Sequence, residues 1–222
     1  MKFRLTLLAG ILGMASAMLP GAAPNLPKTG LAGSTHDISS NGCKSCHAPH
    51  NGSVANGGTQ TTGVILLWAR NFPAAANTFG VYDSNTMQNK TTEVGGSALT
   101  TSTDVRMYSL LCLSCHDGIT SSFTPAMQTA HQVGSRAAFG AGAYESLGLT
   151  NDHPINMNYD PTRNPSLAPV ATVSAVLPLY GSTNTVQCAT CHDPHNDVNT
   201  NYLRQLYVGA PNSTTNCTVC HM

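Results

Sequence analysis

All eight cysteines of the 222-residue chain fall in four Cys-x-x-Cys-His runs: Cys43/Cys46 with His47, Cys112/Cys115 with His116, Cys188/Cys191 with His192, and Cys217/Cys220 with His221. This spacing is that of c-type haem attachment. Two thiols add to the vinyl groups on one porphyrin edge, and the next residue offers its imidazole to the iron as proximal ligand. A disulfide framework places no demand on the residue after each pair, and paired zinc knuckles need no histidine there. With nine histidines in the chain, four such placements by chance have a probability on the order of 10⁻⁶. Four haem c cofactors are therefore expected.

Two of the motifs carry a second histidine, in CKSCHAPHN (43–51) and CATCHDPHN (188–196). Three residues span roughly 10 Å at full stretch, and the intervening proline stiffens them. His50 is thus too close in sequence to His47 to reach the opposite face of the same iron, and His195 stands likewise to His192. Each should reach a neighbouring haem, which implies haems in close pairs.

Five histidines remain as distal candidates for four irons: His36, His50, His131, His153 and His195. Chain proximity assigns His50 to the haem on Cys112/Cys115 and His195 to that on Cys217/Cys220. It assigns His153 to the haem on Cys188/Cys191 and leaves His36 for Cys43/Cys46 or for a haem of a neighbouring subunit. His131 is the spare, read as a surface or propionate-binding residue. The methionines stand in no recurring context, so histidine ligation suffices. With every iron bis-histidine, none keeps an open position, and an electron carrier rather than an enzyme is expected.

The N-terminus has Lys2 and Arg4, an apolar run and Ala15-Ser16-Ala17, the pattern of a cleaved signal peptide over 1–17. The apolar stretch Leu5 to Leu19 is 15 residues, short of the roughly 20 a membrane helix needs, so no stable membrane span is expected. Cleavage leaves eight basic and ten acidic residues with no basic stripe, which argues against a nucleic-acid partner. Charged residues are 9% of the chain, against about 25% in ordinary domains, and weak mutual repulsion favours self-association.

Residues 18–34 read as a flexible Pro/Gly-rich arm and 35–222 as a single tetrahaem domain, with pseudo-repeat halves at about 35–150 and 151–222. Each half has an upstream histidine, a CxxCHxPHN motif and a plain CxxCH. The two motifs of a half start 69 residues apart in the first and 29 in the second, so the first half carries an insertion that includes GVILLWARNFP, where the apolar run Val64 to Trp68 reads as a strand or haem-wall patch. Residues 104–116 predict a helix, N-capped by Ser102 or Thr103 and stopped at Gly118. Elsewhere Gly, Pro, Asn and Thr break any period. The expected fold class is mostly irregular coil with short helices and few short strands, organised around four stacked haems. The sequons at Asn51, Asn89, Asn212 and Asn216 are frequent by composition.

STHDIS, CKSCHAPHN, LLWAR, LCLSCHDG, NDHPINMNY, CATCHDPHN and the last CxxCH together resemble the OmcE-type tetrahaem cytochromes, over residues 36–221. The resemblance implies a secreted homopolymeric filament for long-range extracellular electron transfer, with outer-surface or periplasmic redox partners and extracellular acceptors. It also implies that a histidine of one subunit ligates a haem of the next, for which His36 is the candidate. The alternatives are a monomeric periplasmic electron shuttle and a multihaem reductase with one open haem site.

Overall fold

The computed structural model describes residues 31–47, 66–70, 72–73, 78–91, 94–95, 104–117, 149–150, 152–205 and 215–222. The expected signal peptide, most of the arm, His50 and His131 lie outside the described residues. Within them, regular structure comes in short pieces. Two 3-10 turns, Ile38–Ser40 and Gly42–Ser45, precede helix α1 (Met107–His116). Helices α2 (Val170–Ser174), α3 (Cys188–Cys191) and α4 (Thr215–Thr218) follow. Strands β1 (Thr78–Phe79) and β2 (Val94–Gly95) pair antiparallel, as do β3 (Met157–Asn158) and β4 (Thr185–Val186). No helix among the described residues is long and apolar enough to cross a membrane.

Every haem motif sits on helical turns, because the cysteines must lie on one face with the histidine just beyond. The expected helix at 104–116 is α1, and its start differs from expectation. Ser102, Thr103 and Gly118 lie outside the described residues, and Arg106 stands at the N-cap; the Asp104 carboxylate just before it accepts the Arg106 N–H at 3.0 Å, and the Asp104 carbonyl accepts the Met107 N–H at 3.0 Å. An acid takes this role well, satisfying an orphan N–H and facing the positive helix end.

Met107, Leu110 and Leu113, spaced by three, are fully buried on one face of α1. They pack with Phe79, Val94, Leu149 and Ile155 into one core. A second core holds Met157, Tyr159, Leu167, Ala168, Val173, Leu177 and Val186. Each buried Leu or Val contributes about 1.5–3 kcal/mol.

Polar contacts join α1 to α3. The Ser109 hydroxyl donates to Gln187 Oε1 at 2.5 Å and accepts the Cys188 N–H at 3.0 Å. Gln187 Nε2 donates to Asn156 Oδ1 at 3.0 Å. Nearby, Tyr108 stacks on Tyr180 with centroids 3.7 Å apart. Tyr180 opens a hairpin turn in which Gly181 has φ +70° and lies so near Val105 that a Cβ would meet its Cγ1 at 2.5 Å. Gly181 is required there on both counts.

Ser109→Ala would strand a buried amide oxygen and a buried N–H. A loss of about 2 kcal/mol is expected, read as a lower urea midpoint of the holoprotein at unchanged slope.

Candidate haem-iron centres

The four proximal imidazoles follow directly from the helical turns, and three of them face a second imidazole. The ring centroids of His36 and His116 are 6.0 Å apart, those of His47 and His195 6.2 Å, and those of His153 and His221 6.4 Å. Two imidazoles bound on opposite sides of one metal ion at about 2.0 Å per nitrogen hold their centroids about 6.2 Å apart. Direct stacking would bring rings much closer, as it does for Tyr108 and Tyr180. The interplanar angles are 15° for His47/His195 and 73° for the other two. Rotation about the metal–nitrogen bond permits both. The pairs therefore fit a six-coordinate iron between them.

Hydrogen bonds fix the tautomer of several of these rings. Nδ1 of His47 lies 2.7 Å from the Leu66 carbonyl, Nδ1 of His192 2.8 Å from that of Asn201, and Nδ1 of His153 3.0 Å from that of Pro154. Nδ1 of His195 lies 3.1 Å from Asp193 Oδ1. A carbonyl or ionised carboxylate only accepts, so each Nδ1 carries a proton, and in the neutral ring the lone pair that could bind a metal is then on Nε2. Burial lowers the pKa of His153, which keeps it neutral and able to ligate. The hydrogen bond from His195, with its N–H and Arg204 adding to it, holds the Asp193 carboxyl down at about 2.

The pairing differs from the one chain proximity predicts. His195 faces His47 and not His221; His153 faces His221 and not His192; His36 faces His116 and not His47. Long-range contacts decide each case. The Tyr159 hydroxyl donates to the Ala168 carbonyl at 2.7 Å and lies 3.2 Å from that of Cys220. The Ala168 N–H donates to the Cys220 carbonyl, and the Met222 N–H to that of Ser166. These bonds seat the last motif on the segment that follows His153. His36 packs edge-on against Tyr202, centroids 4.3 Å apart, and Thr35 Oγ1 bonds the Tyr202 hydroxyl at 2.7 Å. His36 thus stands opposite His116 of its own chain, rather than reaching out from a mobile arm.

The anchoring thiols adjoin from motif to motif. Burial pushes the Cys46 thiol up to about 11, and the nearby Cys115 adds to the shift. The Cys112 thiol donates to Cys188, which raises Cys112 and lowers Cys188. Cys191 and Cys217 both raise Cys220, itself pushed up to about 11 chiefly by burial. Each motif thus has a thiol near enough to one of the next motif to shift its pKa. All eight cysteines are free of disulfides.

One element escaped the sequence reading. LLWAR and NYLR form the same cradle for the two CxxCHxPHN motifs. Leu66 and Leu67 have φ of 53° and 55°, Asn201 and Tyr202 of 57° and 58°. The first carbonyl of each pair takes the proximal Nδ1–H. The Ala69 N–H donates to Cys46 O and the Arg204 N–H to Cys191 O, both at 2.8 Å. His47 then bridges to Trp68, and His192 to Leu203. Of the apolar run, Val64 and Ile65 lie outside the described residues and Leu66 to Trp68 form no strand: Leu66 and Leu67 are half-exposed, while the Trp68 indole is buried and donates to Ser114 Oγ. Asn201 alone hinted at a left-handed turn.

A family model described as the doubled CXXCH motif matches residues 182–222, which hold the third and fourth motifs. No curated protein matches the chain. The match supports a multihaem c-type cytochrome working in electron transfer, with haem c on those cysteines.

Left-handed backbone costs a leucine roughly 1–2 kcal/mol, whereas asparagine tolerates it. Leu66→Asn keeps the carbonyl that His47 needs and should raise the holoprotein's unfolding free energy by about 1 kcal/mol, with its visible spectrum unchanged.

Proposed function

We propose that the chain is a secreted tetrahaem c-type cytochrome for long-range extracellular electron transfer and the subunit of a polymeric filament. The observation that carries the electron-transfer part is the set of three imidazole pairs at 6.0–6.4 Å. When bound, haem c supplies a reversible one-electron couple at each site. The protein's part is to bring two imidazoles to each iron, to hold His47, His153, His192 and His195 through Nδ1, and to leave no position open for a substrate. On this reading the chain is not an enzyme.

The ligand assignment is His116 with His36, His47 with His195, and His221 with His153, on the cysteines preceding each proximal histidine. The upstream histidine of each half faces the plain CxxCH of that half. The second histidine of the later CxxCHxPHN motif faces the first histidine of the earlier one. The reciprocal relation assigns His50 to His192, which completes four sites and leaves His131 spare. The adjoining thiols of successive motifs favour transfer along the chain rather than isolated centres. Polymerisation draws on low charge, which resists association weakly, and on the resemblance to filament-forming cytochromes. Extracellular acceptors and homopolymer contacts belong to the same proposal, as does export by the N-terminal signal.

Two measurements test it. The oxidised holoprotein should carry four haem masses and an all-low-spin spectrum. His36→Ala, His153→Ala and His195→Ala should each convert one haem in four to a high-spin form that binds carbon monoxide when reduced. A high-spin haem in the unaltered protein would instead mark a reductase. Cryo-electron microscopy of haem-staining material sheared from producing cells should show thin filaments with four haems per repeat, and single-chain particles alone would mark a soluble shuttle.

A further inference from the structure

The two CxxCHxPHN motifs share their cradle but differ at two places. In CATCHDPHN the residue after the proximal histidine is Asp193; in CKSCHAPHN it is Ala48. Arg204, whose N–H bonds the Cys191 carbonyl, corresponds to Ala69, whose N–H bonds that of Cys46. An aspartate and an arginine in one copy thus stand where the other has two alanines.

Asp193 and Arg204 are partners. Arg204 Nη1 donates to Asp193 Oδ2 at 3.2 Å, both side chains are mostly buried, and Arg204 Nε donates to the Ala189 carbonyl at 2.9 Å. The Asp193 N–H is taken by the Tyr202 carbonyl at 2.8 Å. Oδ1 is left for His195, accepting its backbone N–H and its Nδ1–H, both at 3.1 Å. His47, His153 and His192 bond neutral carbonyls through Nδ1, so of these four rings His195 alone bonds an anion.

We propose that Asp193 is a positioning residue that lowers the reduction potential of the His47/His195 site, by making His195 a more basic ligand than a carbonyl partner would. A carboxylate that accepts Nδ1–H shifts electron density toward Nε2 and so favours the more highly charged, oxidised metal. Arg204 fixes the carboxylate and moderates its field. Since Asp193 belongs to the third motif and His47 to the first, the later half of the chain sets the redox level of the earlier one. The inference rests on the ligand pair assigned above.

The test is spectroelectrochemical titration of holoprotein Asp193→Asn, which keeps an acceptor oxygen without its charge, beside Asp193→Asn/Arg204→Gln, in which both charges go. In the single variant one midpoint of four should rise. A shift worth a tenfold change in the ferric-to-ferrous ratio is expected, which is about 59 mV for a one-electron couple. All four haems should stay low-spin. In the double variant the rise should persist, because ligand basicity and not net charge causes it. Four unmoved midpoints in the single variant, with the low-spin spectrum intact, would overturn the proposal and leave the ligand pair standing. A return to the starting midpoint in the double variant would also overturn it, as a through-space effect of net charge. Should the single variant fail to assemble, a raised midpoint in the double variant carries the proposal and an unmoved one overturns it, and Asp193→Glu should keep the low potential. The ligand pair has its own control: four low-spin haems in His195→Ala would sink the pairing itself.

Discussion

Two neutral imidazoles facing each other with centroids about 6 Å apart gain little as a packing contact. Water would solvate them better apart, and such spacing leaves room between the rings. That three pairs hold this distance is a consequence of the chain around them. Backbone carbonyls at Leu66, Asn201 and Pro154 and the Asp193 carboxylate orient the rings from behind. Tyr202 braces His36, and Tyr159 binds the last motif to the segment after His153. The described structure is largely a set of supports for eight cysteines and the imidazoles near them.

The supports explain how so little regular structure holds together. Among the described residues there are two apolar clusters, and the strands are two residues long. Covalent attachment of four porphyrins would add apolar surface beside both clusters, since Cys188 packs at the edge of the first and Cys220 at the edge of the second. The left-handed leucines fit this economy. Strain at Leu66 and Leu67 is tolerable because it aims a carbonyl at His47, and the second copy achieves the same aim with Asn201, a residue better suited to the backbone.

What was legible in the sequence is what covalent chemistry and local period dictate. Cys-x-x-Cys-His demands a helical turn wherever it occurs, and Met107, Leu110 and Leu113 spell the buried face of α1. The partners of the imidazoles were not legible, because proximity along the chain is a poor guide to where a ring points. His195 lies 26 residues before His221 and 148 after His47, yet the distant ring is the one it faces. The cradle was hidden for another reason. LLWAR and NYLR have no residue in common at matching positions, and they follow their proximal histidines at 19 and 9 residues. Only backbone geometry reveals that they are copies, since the working groups are a carbonyl and an N–H that any residue supplies.

Once the cradle is seen as duplicated, its differences carry information that each copy alone would not. A buried aspartate–arginine pair is seldom a gain in stability over well-packed apolar residues, because desolvation offsets most of the attraction. The first copy shows that the cradle does not need one, since an alanine at 69 makes the same backbone bond to the motif as Arg204. The pair in the second copy therefore has a reason beyond the local fold, and the group it touches is the Nδ1–H of His195. An anion there acts on the ring and, through the ring, on whatever Nε2 binds. His195 thus gains an anionic partner while the backbone support of its motif matches that of the first copy.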